Sequence, residues 1–198
     1  MLLAVTFEGP PFAGKSTLAS LVYEYYKIKG YDVALLENSL TEEIATLARK
    51  KDAERRYLAA SCLLAAGAVQ LLEQAFQYLT KEIIIFDSLY SYYLIYSSYR
   101  QLKPEQLDSF LFSLHGPKIL YLQCRYEQLL KRKKEPHPFS ELLKSEEMFA
   151  EAERNIRQRL VKHASTRIVF VENNYEEPFD AFQKIREILD STLKNLGP

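Results

Sequence analysis

Phe7-Glu8-Gly9-Pro10-Pro11-Phe12-Ala13-Gly14-Lys15-Ser16-Thr17 is the stretch that decides the fold of this chain. Only six glycines occur in 198 residues, yet two of them, Gly9 and Gly14, bracket this loop. Lys15, Ser16 and Thr17 follow at once. Gly9 to Ser16 fits G-x-x-x-x-G-K-[ST], a loop that wraps phosphate between a strand and a helix. The spacing has a physical reason. A chain leaving a strand and entering a helix can turn consecutive N–H groups inward as an anion nest, and the helix N-terminus adds partial positive charge. Gly14 lets backbone approach the phosphates. Lys15 reaches the β- and γ-phosphates, and the Ser16 hydroxyl ligates Mg²⁺. Pro10 and Pro11 lack an N–H, so the donors are expected from Phe12, Ala13, Gly14, Lys15, Ser16 and Thr17.

The flanking sequence agrees. Leu2 to Phe7 is an apolar run of the kind buried on both faces of a parallel sheet. Lys15 to Lys29 has helical spacing, with Gly30 as its cap. Four more apolar runs follow, at Val33–Leu36, Ile83–Phe86, Ile119–Leu122 and Arg167–Val171. Helical stretches separate them at Thr41–Lys51, Tyr57–Leu79, Pro104–Leu114, Tyr126–Lys134, Ser140–His163 and Phe179–Leu196. Strands alternating with helices predict an α/β fold of the P-loop NTPase class, a five-stranded parallel sheet with helices on both faces. No polar linker interrupts residues 1–198, so a single domain is expected.

A carboxylate at a neighbouring strand tip is needed to hold Mg²⁺. Asp87, closing Ile83-Ile84-Ile85-Phe86, is the acidic residue that ends so apolar a run. It can also cap a helix. A mobile cationic element is expected as well. Arg125, Lys131, Arg132, Lys133 and Lys134 cluster ahead of Pro136 and Pro138, which suggests a basic lid over about 125–141, with Arg125 and Arg132 as the phosphate binders. The same run also reads as a solvated helix face. Ser88 to Tyr99 is rich in tyrosine, and Tyr92 and Tyr96 are candidates for stacking on a base, or for core packing.

Composition narrows the setting. Lys plus Arg and Asp plus Glu number 26 each, so the net charge is zero, which argues against a nucleic-acid footprint. Cys62 and Cys124 lie in apolar runs and read as buried free thiols of a cytoplasmic protein. Tyr57–Leu72 is uncharged but interrupted by Ser61, Gly67 and Gln70. It reads as a helix in the core or at a subunit interface, and not as a membrane anchor.

With these residues in place, the chain resembles the thymidylate kinase family of nucleoside monophosphate kinases, nearly end to end. Phe7-Glu8-Gly9 looks like that family's entry to the loop. Glu37 resembles the Glu of its Arg-Glu-Pro segment, and KILYLQCRYEQLLKRKK looks like the strand that leads into the lid. The resemblance implies ATP as donor, Mg²⁺, a nucleoside monophosphate acceptor (dTMP by default) and a homodimer. Four positions depart from the pattern. Pro11 replaces an Asp, and Leu36, Gly67 and Ser88 replace arginines that orient the acceptor. Arg49, Arg55, Arg56 and Arg100 are the candidate replacements. Two alternatives follow from the departures: a nucleotide-binding regulatory ATPase, or a kinase for an uncharged nucleoside with Glu37 as the base.

Overall fold

In the computed structural model, residues 2–37, 41–113, 116–133 and 143–196 are described. Five strands form one parallel sheet: β1 (Leu3–Glu8), β2 (Val33–Glu37), β3 (Ile83–Asp87), β4 (Lys118–Gln123) and β5 (Ile168–Glu172). The order is β2-β3-β1-β4-β5. The strand leading into the glycine loop is therefore central, and the order reverses there. Crevices at such reversals, beyond the carboxyl ends of the strands, are where open α/β sheets bind ligands. Register fixes the rim. Phe7 pairs with Asp87, Asp87 with Glu37, and Glu8 with Tyr121.

Helices α1 (Lys15–Ile28) and α8 (Pro178–Leu196) pack on each other. Helices α3 (Tyr57–Ala75), α4 (Ser91–Tyr99), α5 (Glu105–Ser113) and α7 (Glu146–Ala164) form a second group, with α2 (Glu42–Ala53) laid on α3. Helix α6 (Tyr126–Arg132) follows β4. The central runs β1, β3 and β4 are covered on both faces: Val5, Phe7, Ile83, Ile85, Ile119, Leu120 and Leu122 have no exposed surface, whereas the edge strands β2 and β5 are only partly buried. Capping is local. Thr41 and Ser145 each accept a main-chain N–H three residues on, opening α2 and α7.

Two expectations need correction. Cys62 is exposed and Cys124 is buried, because Cys62 falls on the outward side of α3 while Ser61, Leu64, Ala65 and Ala68 are buried. Asp87 does not cap a helix: Ser88 takes a left-handed φ of 71° and bends the chain directly after it, and α4 opens at Ser91 with Tyr90 in the cap position. Tyr57–Tyr78 is long and apolar enough to cross a membrane by composition, but one side of it belongs to the core. Of the proposed lid, 125–133 is described and 134–141 lies outside the described residues.

Candidate functional site

A cavity of about 750 Å³ opens at the carboxyl ends of β1, β2 and β3. That is ample for a nucleotide-sized ligand. Phe12, Gly14, Lys15, Ser16 and Thr17 line one part. Glu37, Asp87, Ser88, Ser91, Tyr92 and Ile95 line a second, and Arg132, Asn173, Glu176 and Pro178 a third.

The loop is shaped by backbone constraint. Gly9 has φ 146° and Gly14 has φ 85°. A Cβ on Gly9 would meet the Leu122 carbonyl oxygen at 2.7 Å, so β4 presses on the loop from below. Phe12 also adopts a positive φ, 63°. Ala13 is fully buried, and its N–H is already bonded to the Pro10 carbonyl at 3.2 Å. Of the expected donors it is the one turned away from the cavity.

Lys15 donates to the Gly9 carbonyl at 3.1 Å and to the Pro10 carbonyl at 2.8 Å. Burial pulls its ammonium below the usual lysine range, while the Glu8 and Asp87 carboxylates push it back up. Desolvated and pre-aimed, such a charge binds an anion more strongly than a solvated one. Ser16 is exposed at the start of α1. Asp87 Oδ1 is buried with no hydrogen-bond partner.

Two contributors were not singled out by sequence. Glu8 has no exposed surface. It accepts from Thr6 Oγ1 at 2.6 Å, the Leu89 and Tyr90 amides at 2.9 Å each, and Ser91 Oγ at 2.5 Å. Ser91 Oγ in turn accepts the Gly9 N–H. One carboxylate therefore ties the glycine loop to the segment after Asp87. Burial raises its pKa, and the bonds from Ser91, Thr6 and Tyr90 lower it again. An acidic residue closing an apolar strand was the available signal. Asn173, after β5, donates from Nδ2 to the Ala13 carbonyl at 2.7 Å, and nothing local in sequence marks it.

The remaining candidates divide. Tyr92 lines the cavity. Tyr96 does not: its hydroxyl donates to Asp52 at 2.6 Å. Arg132 lines the cavity and donates to the Tyr175 carbonyl and to Cys124 Sγ. Arg125 instead borders a neighbouring cavity with Glu153, Arg154 and Arg157. None of the candidate replacement arginines lines the main cavity. Arg49 pairs with Glu42 at the surface. Arg100 pairs with Asp52 and sits over the rings of Tyr57 and Tyr99. Arg55 and Arg56 are exposed between α2 and α3.

A parallel sheet with a glycine loop entering α1, and an acid on the next strand, defines a P-loop phosphotransferase. The comparisons with known proteins are more specific. The thymidylate kinase family profile matches residues 7–191, and the chain belongs to that family. It is 27% identical over 194 residues to a probable thymidylate kinase of Sulfurisphaera tokodaii, covering 96% of this chain and 93% of that one. Its fold matches thymidylate kinase from Candida albicans with a TM-score of 0.71 and 21% identity, covering 96% of this chain and 92% of that one.

Proposed function

We propose that the chain, as a single domain, moves the γ-phosphoryl group of ATP to a nucleoside monophosphate, dTMP, within the main cavity. The observation that carries this is the continuity of that cavity. Lys15–Thr17, Asp87, Glu37 and Tyr92 all line this one cavity, so donor and acceptor can meet there. The main-chain donors of Phe12 and Gly14 to Thr17 cradle the β- and γ-phosphates, and Lys15 adds charge to them. Arg132, Asn173, Glu176 and Pro178 border the end where the nucleoside part of ATP would lie. Tyr92 and Glu37 border the acceptor.

Mg²⁺ fits the residues present. A buried carboxylate oxygen without a partner on Asp87 and the Ser16 hydroxyl make a hard, oxygen-only pair. Among the described residues no group of three or more His, Cys, Asp or Glu gathers as a metal set. Two protein ligands with the rest supplied by phosphate and water is the usual arrangement for this ion. Bound there, Mg²⁺ would neutralise charge on the phosphate oxygens. The acceptor phosphate is already a nucleophile, so no side chain has to take a proton.

Homodimerisation is the proposed assembly, through the outward side of α3 and its end, where Leu58, Phe76 and Leu79 are exposed. Two free thiols fit a reducing, cytoplasmic setting.

The test is a coupled ADP-release assay over a panel of monophosphates beside an ATP-only control. dTMP should stimulate ADP release, and Lys15→Ala should lower turnover by roughly 100-fold or more. ATP hydrolysis indifferent to every acceptor would replace this reading with that of a regulatory ATPase.

A further inference from the structure

We propose that the same site also phosphorylates an uncharged nucleoside, at its 5′-hydroxyl, with Glu37 as the general base. The inference rests on the donor half of the reading above. It starts from what lines the acceptor half. Glu37, Asp87, Ser88, Ser91, Tyr92 and Ile95 supply two carboxylates, hydroxyls and apolar surface. Among the described residues the cavity's basic side chains are Lys15 and Arg132, both set on the donor side. None of the candidate replacement arginines lines the cavity: Arg55 and Arg56 are exposed between α2 and α3, and three further arginines are held by carboxylates. Arg100 is held by Asp52 at 2.7 Å, Arg49 by Glu42 at 2.7 Å, and Arg159 by Asp108 at 2.6 Å.

This arrangement changes what the site can refuse. A pocket that buries arginines for an acceptor phosphate rejects the nucleoside, because removing the phosphate strands buried cations without partners. Among the described residues no such cation lines the acceptor side, so there a nucleoside leaves no charge unpaired. A hydroxyl acceptor needs something a phosphate acceptor does not, a group to take its proton. Glu37 is placed for that task. It ends β2 in register with Asp87, which is in register with Phe7 beside the glycine loop. Two strand spacings of about 4.8 Å each separate Glu37 from β1, leaving room for a sugar between the carboxylate and the γ-phosphate. Asp87 is committed to the metal in the proposed site, so Glu37 is the free acid of the pair. In the step, the 5′-oxygen forms a bond to the γ-phosphorus. The bond from that phosphorus to the β–γ bridging oxygen breaks, ADP leaves, and the hydroxyl proton passes to Glu37.

The experiment uses the full chain with ATP and Mg²⁺, and deoxythymidine or dTMP as acceptor. Products are identified by mass, and deoxythymidine binding is measured separately by calorimetry. Deoxythymidine should bind and be converted to dTMP, with kcat/KM within roughly 1,000-fold of that for dTMP. Glu37→Gln should lower turnover of deoxythymidine by about 100-fold or more, and by a clearly larger factor than turnover of dTMP. Its position on an exposed strand end keeps this variant folded, which circular dichroism checks. If dTMP is phosphorylated and deoxythymidine is not, or falls outside that range, the inference is overturned and the monophosphate reading stands. If neither is phosphorylated, both fail. If Glu37→Gln lowers the two activities equally, Glu37 is not the base.

Discussion

Glu8 is a carboxylate with no access to water and four donors trained on it. Its environment defines what a neutral replacement would cost. Glu8→Gln keeps the volume but turns an acceptor oxygen into an NH₂ group facing donors. At least one of Ser91, Leu89 and Tyr90 then loses its partner. Leaving a buried donor unsatisfied costs about 1–3 kcal/mol, so the melting temperature should fall by about 2–4 °C per kcal/mol lost. ATP affinity should fall with it, because Gly9 and the residues after Asp87 share that anchor. Unchanged melting and unchanged affinity would show the carboxylate to be incidental. Lys15 and Ser16 stand out in sequence because a motif with fixed spacing carries them, and Asp87 because it closes an apolar run; all three line the cavity. Tyr96 was misplaced for a different reason. Helix α4 is buried almost all round, with Tyr93, Leu94, Ile95 and Tyr96 all enclosed, so its sequence carries no amphipathic phase to tell the cavity side from the core side.

Among the elements, α7 shows how a charged helix can be bound to an apolar core. Arg159 from α7 reaches Asp108 on α5 through two bonds, at 2.6 and 2.7 Å, and also the Ser97 and Ser98 hydroxyls of α4. Asp108 is 2% exposed. Removing the arginine would leave Tyr93 as the side-chain donor still holding a buried carboxylate. Arg159→Ala should therefore destabilise by about 3–5 kcal/mol, read as a lower urea midpoint at unchanged slope. Arg159→Lys keeps the charge but not the planar fork, and should fall between. A midpoint shift below about 1 kcal/mol in Arg159→Ala would refute this account. The central strands were easy to read, since burial on both faces writes itself as an apolar run. The arginine partnerships were not. A long side chain finds its carboxylate through tertiary packing, so Arg100 and Asp52, or Arg159 and Asp108, leave no trace in local spacing.

At the level of the whole molecule, pH should act through Glu153. This carboxyl on α7 is buried against β4 and takes a hydrogen bond from the Tyr121 hydroxyl at 2.6 Å. Burial pushes its pKa from the model-peptide value of 4.5 up to about 7. Between those values the native state keeps a proton that the unfolded chain releases. Stability must then fall as pH rises through that window, and the loss is complete above about pH 7. The shift corresponds to about 3 kcal/mol. Glu153→Gln should remove this component. The variant should gain on the parent protein between pH 5 and pH 8 in urea unfolding, whereas an identical pH dependence for the two proteins would exclude Glu153 as the source.

The bond from Asn173 to the Ala13 carbonyl spans 160 residues of chain. Translation at 5–20 residues per second places roughly 8–32 s between the two ends. A nascent polypeptide therefore emerges with its phosphate cradle unfinished and closes it only once Asn173 has been made. A ribosome that halts before Asn173 would leave a product with the signature motif intact and the grip incomplete.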